Sequence, residues 1–188
     1  MKVHPGLGKK VKRIITTCVL VKYSLLRKLY GLNHAINYLA RSDKTALVKV
    51  LKKEGAKIGQ RCDLNLPIYF HELRDPKLLS IGDDVHIGRL VLLDLSSSIV
   101  LKDRVTISMG SMLITHLDVG NSQLGTEYPS ARKGITIDHD SYLGCQATVL
   151  SGVNIGSRCL IGAKSLVTKD VSSGSVAAGI PARILKQV

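Results

Sequence analysis

The sequence predicts a mainly β fold: a three-sided solenoid of hexapeptide repeats, with an N-terminal helical extension and a short C-terminal tail. Over residues 135–171 an aliphatic residue recurs at every sixth position, namely Ile137, Leu143, Val149, Ile155, Ile161 and Val167. Two positions before each lies another small or apolar residue: Ile135, Ser141, Ala147, Val153, Cys159 and Ser165. A period of six matches neither the roughly 3.6 of a helix nor the roughly 2 of an ordinary strand. It matches one short strand and one turn per repeat, the unit of a hexapeptide solenoid. Composition agrees. The 188 residues are 45% apolar yet hold no tryptophan and one phenylalanine, which suits narrow stacked turns better than a sandwich of large side chains.

Residues 1–55 read as a basic helical extension. Ile14, Cys18, Val21, Leu25, Leu29 and Leu32 recur at steps of three and four. A second helix is expected from Ser42 to about Glu54, capped by Ser42 or Asp43 and stopped by Gly55. Much of the net charge of +13 lies here, because residues 1–57 hold 14 Lys and Arg against only Asp43 and Glu54. Two compatible readings follow. The extension caps the open end of the solenoid, or it forms a basic amphipathic surface for peripheral contact with an anionic membrane. It lacks interleaved aromatics or a recognisable motif, so no nucleic-acid partner is expected. Lys22, Arg27 and Lys28 interrupt the early apolar stretch, so neither a signal peptide nor a transmembrane helix is expected. The expected location is cytoplasmic, with possible peripheral contact at the inner face of the cytoplasmic membrane.

Residues 56–171 read as the solenoid itself. Three earlier groups follow the same rule: Ala56/Ile58, Cys62/Leu64 and Ile68/Phe70; then Leu79/Ile81, Val85/Ile87 and Val91/Leu93; then Ile99/Leu101, Val105/Ile107 and Ser111/Leu113. Short insertions at residues 71–77 and 94–98 shift the phase. Three hexads per group predict one turn of a three-sided helix per roughly 18 residues, each turn stacking on the next. Gly144, Gly156 and Gly162 follow the aliphatic residue, where a tight turn is expected to need φ > 0. Asp83, Asp138 and Asn154 are expected to hold turns. Cys18, Cys62, Cys145 and Cys159 show no paired spacing, which points to a reducing compartment and no zinc site.

Chemistry is expected in residues 114–134, the one long interruption of the repeat. A solenoid cannot bury such a segment, so it projects from the side, and projecting loops on rigid scaffolds often carry function. His116 stands at its mouth. Glu127, later in the loop, could fold back and hold one imidazole nitrogen while the other takes a proton.

The hexads, the extruded histidine loop and the ending Ile161-Gly-Ala-Lys-Ser-Leu-Val-Thr-Lys-Asp-Val171, followed by Ser175-Val-Ala-Ala-Gly-Ile-Pro-Ala-Arg-Ile-Leu-Lys186, resemble the hexapeptide-repeat acyltransferases. The branch indicated is the maltose/galactoside O-acetyltransferase-like and polysaccharide O-acetyltransferase group. The resemblance covers about residues 56–188. It implies a left-handed parallel β-helix, a homotrimer with each active site between two subunits, acetyl-CoA as co-substrate, and no metal. His116 matches the family's base and Glu127 its supporting carboxylate. Gly144 and Cys145 match the turn that contacts the donor, and Gly162 and Ala163 match backbone beside the pantetheine arm. Thr168, Lys169, Arg183 and Lys186 match positions around the nucleotide end, where cations suit phosphates; residues 172–188 form this CoA-side tail. Tyr142 stands where many relatives have tryptophan. Asp94, Ser96 and Asp103 fall where relatives often hold acceptor-binding residues, and Asn121 is a further candidate.

The activity implied is direct acetyl transfer from acetyl-CoA to a sugar hydroxyl, on a cell-envelope or lipid-linked glycan. Antibiotic or serine acceptors, and a non-enzymatic solenoid for assembly or binding, remain alternatives. A γ-type carbonic anhydrase would require His86, His116 and His139 to converge.

Overall fold

The computed structural model describes residues 5–187, with side chains from Ile14 onward. Helix α1 (Pro5–Ser42) is broken by Gly31, at φ 82° and ψ 176°, into a long arm and a shorter segment. That φ is open to glycine at little cost and strained for other residues. Asp43 then caps α2 (Lys44–Lys53): its Oδ1 accepts from Ala46 N at 3.0 Å, and its Oδ2 accepts from Thr16 Oγ1 at 2.7 Å. Gly55, at φ 105°, follows the end of α2.

Segment 32–42 and α2 cover the first coil of the solenoid, burying Ala35, Ile36, Leu39, Ala46, Leu47 and Leu51. The cover also supplies polar partners. Asn37 Nδ2 donates to Phe70 O at 2.7 Å, and its Oδ1 accepts from Phe70 N at 2.9 Å. One side-chain amide thereby replaces the ladder bonds that a further coil would give, which removes a cost of burying an open edge. The arm behaves differently. Val19, Leu20, Tyr23 and Leu26 pack inward, with Arg27 paired to Glu54 of the α2 C-cap. The stripe Ile14, Cys18, Val21, Leu25 and Leu29 points away from the body and is exposed.

Five coils follow. The first is β1 (Lys57–Ile58), β2 (Asp63–Leu64) and β3 (Tyr69–His71); the second is β4 (Leu79–Ile81), β5 (His86–Ile87) and β6 (Leu92–Asp94). The third is β7 (Ile99–Leu101), β8 (Thr106–Ile107) and β9 (Met112–Leu113). The extruded loop then forms the antiparallel pair β10 (His116–Leu117) and β11 (Ala131–Arg132). The fourth coil is β12 (Ile135–Ile137), β13 (Tyr142–Leu143) and β14 (Thr148–Val149), and the fifth is β15 (Asn154–Ile155), β16 (Leu160–Ile161) and β17 (Leu166–Val167). A hairpin, β18 (Ser175–Gly179) and β19 (Ala182–Gln187), ends the described chain.

Parallel pairing in register sorts the coils into three faces, the first containing β1, β4, β7, β12 and β15. The hexad aliphatics therefore stack in columns, such as Leu64, Ile87, Ile107, Leu143 and Ile161 on the second face. All five are buried, each contributing about 1.5–3 kcal/mol of burial. The serines two places before some aliphatics are buried too and serve the coil above: Ser111 Oγ donates to Gly144 O and Ser141 Oγ to Gly156 O.

The corner glycines have a different physical reason from the one expected. Among residues near these turns, positive φ belongs to Gln146, Arg158 and Lys164, two positions after the glycines. Gly144 and Gly156 are needed because the next coil passes too close: a Cβ would lie 2.5 Å from Ala163 N and 2.6 Å from Ser173 N, respectively. Along one corner the positive-φ residues Arg61, Asp84, Arg104, Asp140 and Arg158 alternate in charge, with ion pairs Arg61–Asp84 and Arg104–Asp140.

Candidate active site

Register builds the site. His71, Asp94 and the loop entrance follow the last aliphatic residue of three successive coils, and β3 pairs with β6 so that His71 faces Asp94 directly. One coil further on, Leu93 pairs with Leu113, and the chain leaves the coil through Ile114 and Thr115 to His116. The strand pair of the loop, His116 opposite Arg132, holds the histidine at the corner.

His116 Nδ1 lies 2.6 Å from Asp94 Oδ2. Asp94 is fully buried. Its Oδ2 also accepts from Thr115 N at 2.7 Å and Thr115 Oγ1 at 3.0 Å, and its Oδ1 accepts from Ser96 Oγ at 2.7 Å and Ser96 N at 3.1 Å. Burial alone would push this carboxyl up. The hydrogen bonds from His116, Ser96 and Thr115 outweigh burial and hold its pKa down at about 2. An ionised Asp94 makes Nδ1 the donor, so Nε2 carries the lone pair. The histidine side chain keeps 26% exposure.

The carboxylate expected on His116 is Glu127; the one the fold supplies is Asp94. Glu127 lies exposed after the short 3₁₀ turn Gln123–Thr126, and its side chain has no partner among the described residues. The same geometry corrects the expectation for Asp94 as an acceptor contact: a carboxylate with no exposure and both oxygens engaged cannot greet an acceptor. Ser96 lies beside the pair, with Oγ 3.4 Å from His116 Nδ1. Asp103 is elsewhere. It sits at the corner after the first face, where its Oδ1 accepts from Asp83 N at 2.8 Å, and is a turn residue. Asn121 is an exposed loop residue.

Sequence reasoning missed His71. Its ring stacks on His116, with centroids 5.3 Å apart and planes 22° from parallel. The signal was available, since His71 and Asp94 each directly follow the last hexad apolar residue of their groups, Phe70 and Leu93. His71, Asp94 and His116 bring potential metal-ligand atoms within 4.8 Å of one another. Asp94 Oδ2 already accepts three bonds, from Thr115 N, Thr115 Oγ1 and His116 Nδ1. His86 and His139 pair instead with Asp63 and Asp140 and do not converge on His116.

The expected cofactor residues fall into separate columns of one chain. Gly144, Cys145, Gly162 and Ala163 stack at the corner between the second and third faces. Thr168 and Lys169 follow β17, at the same corner as His116 but two coils further on. Arg183 and Lys186 are exposed on β19. Tyr142 points outward from β13, its hydroxyl 2.9 Å from Ser108 Oγ. Gly144 N is bonded to Ile161 O, so it is not a free donor; no backbone bond is made by Cys145 N among the described residues.

No family model matches the chain. Galactoside O-acetyltransferase of Escherichia coli (strain K12) is 28% identical over 165 residues, covering 84% of this chain and 76% of that protein. A 2,3,4,5-tetrahydropyridine-2,6-dicarboxylate N-acetyltransferase of Staphylococcus aureus (strain JH9) is 35% identical over 72 residues, 38% of this chain and 30% of that protein. Among solved structures, a hexapeptide-repeat-containing acetyltransferase from Vibrio cholerae matches with a TM-score of 0.73 at 23% identity, over 88% of this chain and 92% of that one. A galactoside acetyltransferase in complex with coenzyme A matches with a TM-score of 0.63 at 24% identity, over 89% and 82%. The left-handed parallel β-helix implied by the family resemblance is the fold of this chain.

Proposed function

We propose, from the premise that this chain is a hexapeptide-repeat acyltransferase homologous to galactoside O-acetyltransferase, that it moves an acetyl group from acetyl-CoA to a hydroxyl of a sugar. The observation that carries the reading is the 2.6 Å contact between His116 Nδ1 and buried Asp94, which leaves Nε2 to act as the base on a half-buried ring.

In this reading Nε2 takes the acceptor hydroxyl proton while the oxygen attacks the thioester carbonyl carbon. Asp94 stabilises the imidazolium that forms. The carbon–sulfur bond then breaks, the thiolate leaves, and His116 returns the proton to it. The products are an acetyl ester and free CoA thiol. Cys145 N is the backbone donor available to the oxyanion. Glu127 and Asp103 take no part within one subunit.

His116 and the Cys145 column occupy different corners of the prism, so one chain does not bring base and thioester together. A homotrimer supplies the second wall of the cleft. Tyr69 and Met112 on the third face, and Tyr142 and Leu160 on the second, are exposed apolar side chains suited to such packing. Lys169, Arg183 and Lys186 then serve the CoA phosphates. No described helix is long and apolar enough to cross a membrane. In this reading the acceptor is a glycan on a lipid carrier, met at the inner face of the cytoplasmic membrane.

The test is thiol release from acetyl-CoA with methyl β-galactoside, methyl α-glucoside and serine as separate acceptors. The reading expects acetyl ester from at least one sugar and none from serine. Faster turnover with serine would replace the sugar by an amino-acid acceptor. No thermal shift with acetyl-CoA and no transfer to any acceptor would return the chain to a binding solenoid.

A further inference from the structure

The arm of α1 before Gly31 turns an apolar stripe to solvent. Ile14 is 63% exposed, Val21 67%, Leu25 57% and Leu29 61%, with exposed Cys18 between them. Their steps of four, three, four and four residues place them on one side of the helix. The opposite side is already satisfied, since Val19, Leu20, Tyr23 and Leu26 pack inward beside the Arg27–Glu54 pair. Contiguous exposed apolar surface of this kind marks a contact with something outside the chain.

Charge identifies the occupant. Residues 1–42 contain nine Lys and Arg and no Asp or Glu. Lys28 borders the stripe on one side. Lys22 borders it on the other, with its ammonium 4.8 Å from the centre of the Tyr38 ring. Lys9, Lys10, Lys12 and Arg13 lie on the same helical arm just before the stripe. An apolar strip beside uniformly positive charge complements an anionic lipid surface: the aliphatic side chains enter the acyl boundary and the cations meet the headgroups. No described helix is long and apolar enough to span the bilayer, and the proposed contact is in the plane of the interface.

We propose that the α1 arm docks this protein on an anionic membrane through Ile14, Val21, Leu25 and Leu29, with the adjacent lysines on the headgroups. The proposal gives a surface to the membrane location in the functional reading, and it rests on that reading only for location. The segment 32–42 and α2 lie in sequence between the arm and the solenoid.

Flotation of the full chain with vesicles tests it. Binding is expected to phosphatidylcholine vesicles containing phosphatidylglycerol, and it weakens as salt is raised. Pure phosphatidylcholine vesicles bind about tenfold less or weaker. Val21→Glu combined with Leu25→Glu lowers flotation about tenfold or more while leaving the melting temperature unchanged, since both positions are exposed. His116→Ala floats like the wild type, which separates docking from catalysis. The chain lacks tryptophan, so Leu25→Trp adds a single reporter whose emission moves to the blue on anionic vesicles. Absence of flotation at low salt together with an unmoved Leu25→Trp emission overturns the proposal. So does a double-glutamate variant that floats normally. If that variant instead dissociates an oligomer and the wild type ignores vesicles, the stripe belongs to a second copy of this chain and the lipid proposal falls.

Discussion

The imidazole of His71 lies against that of His116, with ring centroids 5.3 Å apart and planes 22° from parallel. The two residues belong to different coils, and Asp94 occupies the coil between them. His71 has no described hydrogen bond to His116. Its effect is to limit where the second ring can turn, while Asp94 fixes which nitrogen carries the proton. His71 is therefore a positioning residue. His71→Ala should lower kcat about tenfold with little change in KM for acetyl-CoA, and His71→Phe, which keeps a stacking face, should restore most of it. Equal loss in both variants would point to a contact made by the imidazole nitrogens instead.

Asp94 and Glu127 separate cleanly by mutation. Asp94→Asn removes the acceptor that selects the Nδ1–H tautomer, and kcat should fall about 10²–10⁴-fold. Glu127→Gln should cost less than about tenfold, because Glu127 does not touch the base. Steady-state rates of thiol release for the two variants decide the order, and a larger loss for Glu127→Gln would reverse the assignment.

Asp94 also sets an acid limit. Its carboxyl is held at about 2 in the fold against an ordinary value of 3.8. The unfolded chain therefore binds this proton first as pH falls. The stability it contributes is present above about pH 4 and is lost as pH drops through about 2. Thermal melts between these limits should show a steeper acid-side decline for wild type than for Asp94→Asn. Parallel declines would mean that Asp94 is not held low.

The corner glycines make a test of packing. Gly156→Ala places a Cβ 2.6 Å from Ser173 N and Oγ, and should destabilise by about 1–3 kcal/mol. Arg158→Gly, two positions on at φ 53°, removes a left-handed side chain and should be close to neutral. The reverse order in denaturant melts would restore backbone φ as the reason for glycine at position 156.

The hexad rule exposed the solenoid because each aliphatic in a column has the same job, and a repeated job leaves a periodic mark. Val149 and Val167, one coil apart, are both buried and paired. The site is not periodic, so it left a weaker mark. His116 stood out by its place at the loop mouth. Asp94 was visible as a residue but not as the histidine's partner, since their contact depends on how insertions at residues 71–77 and 94–98 reset the register. The arm's stripe was legible as an apolar face, with cap and membrane both open as its partner; Tyr23 and Leu20 on the opposite side pack inward, leaving Val21 and Leu25 outside. Periodicity shows that a face is apolar and is silent about what covers it.

In the proposed reaction His116, held by Asp94, is the base for acetyl transfer. The most direct measurement is the single-turnover rate of acetyl ester formation from acetyl-CoA and the best sugar acceptor, for wild type and His116→Ala at equal folded concentration. The expected result is a fall of about 10²–10⁴-fold, with an unchanged melting temperature and an unchanged thermal shift by acetyl-CoA. A folded His116→Ala protein that acetylates the sugar at the wild-type rate would contradict it.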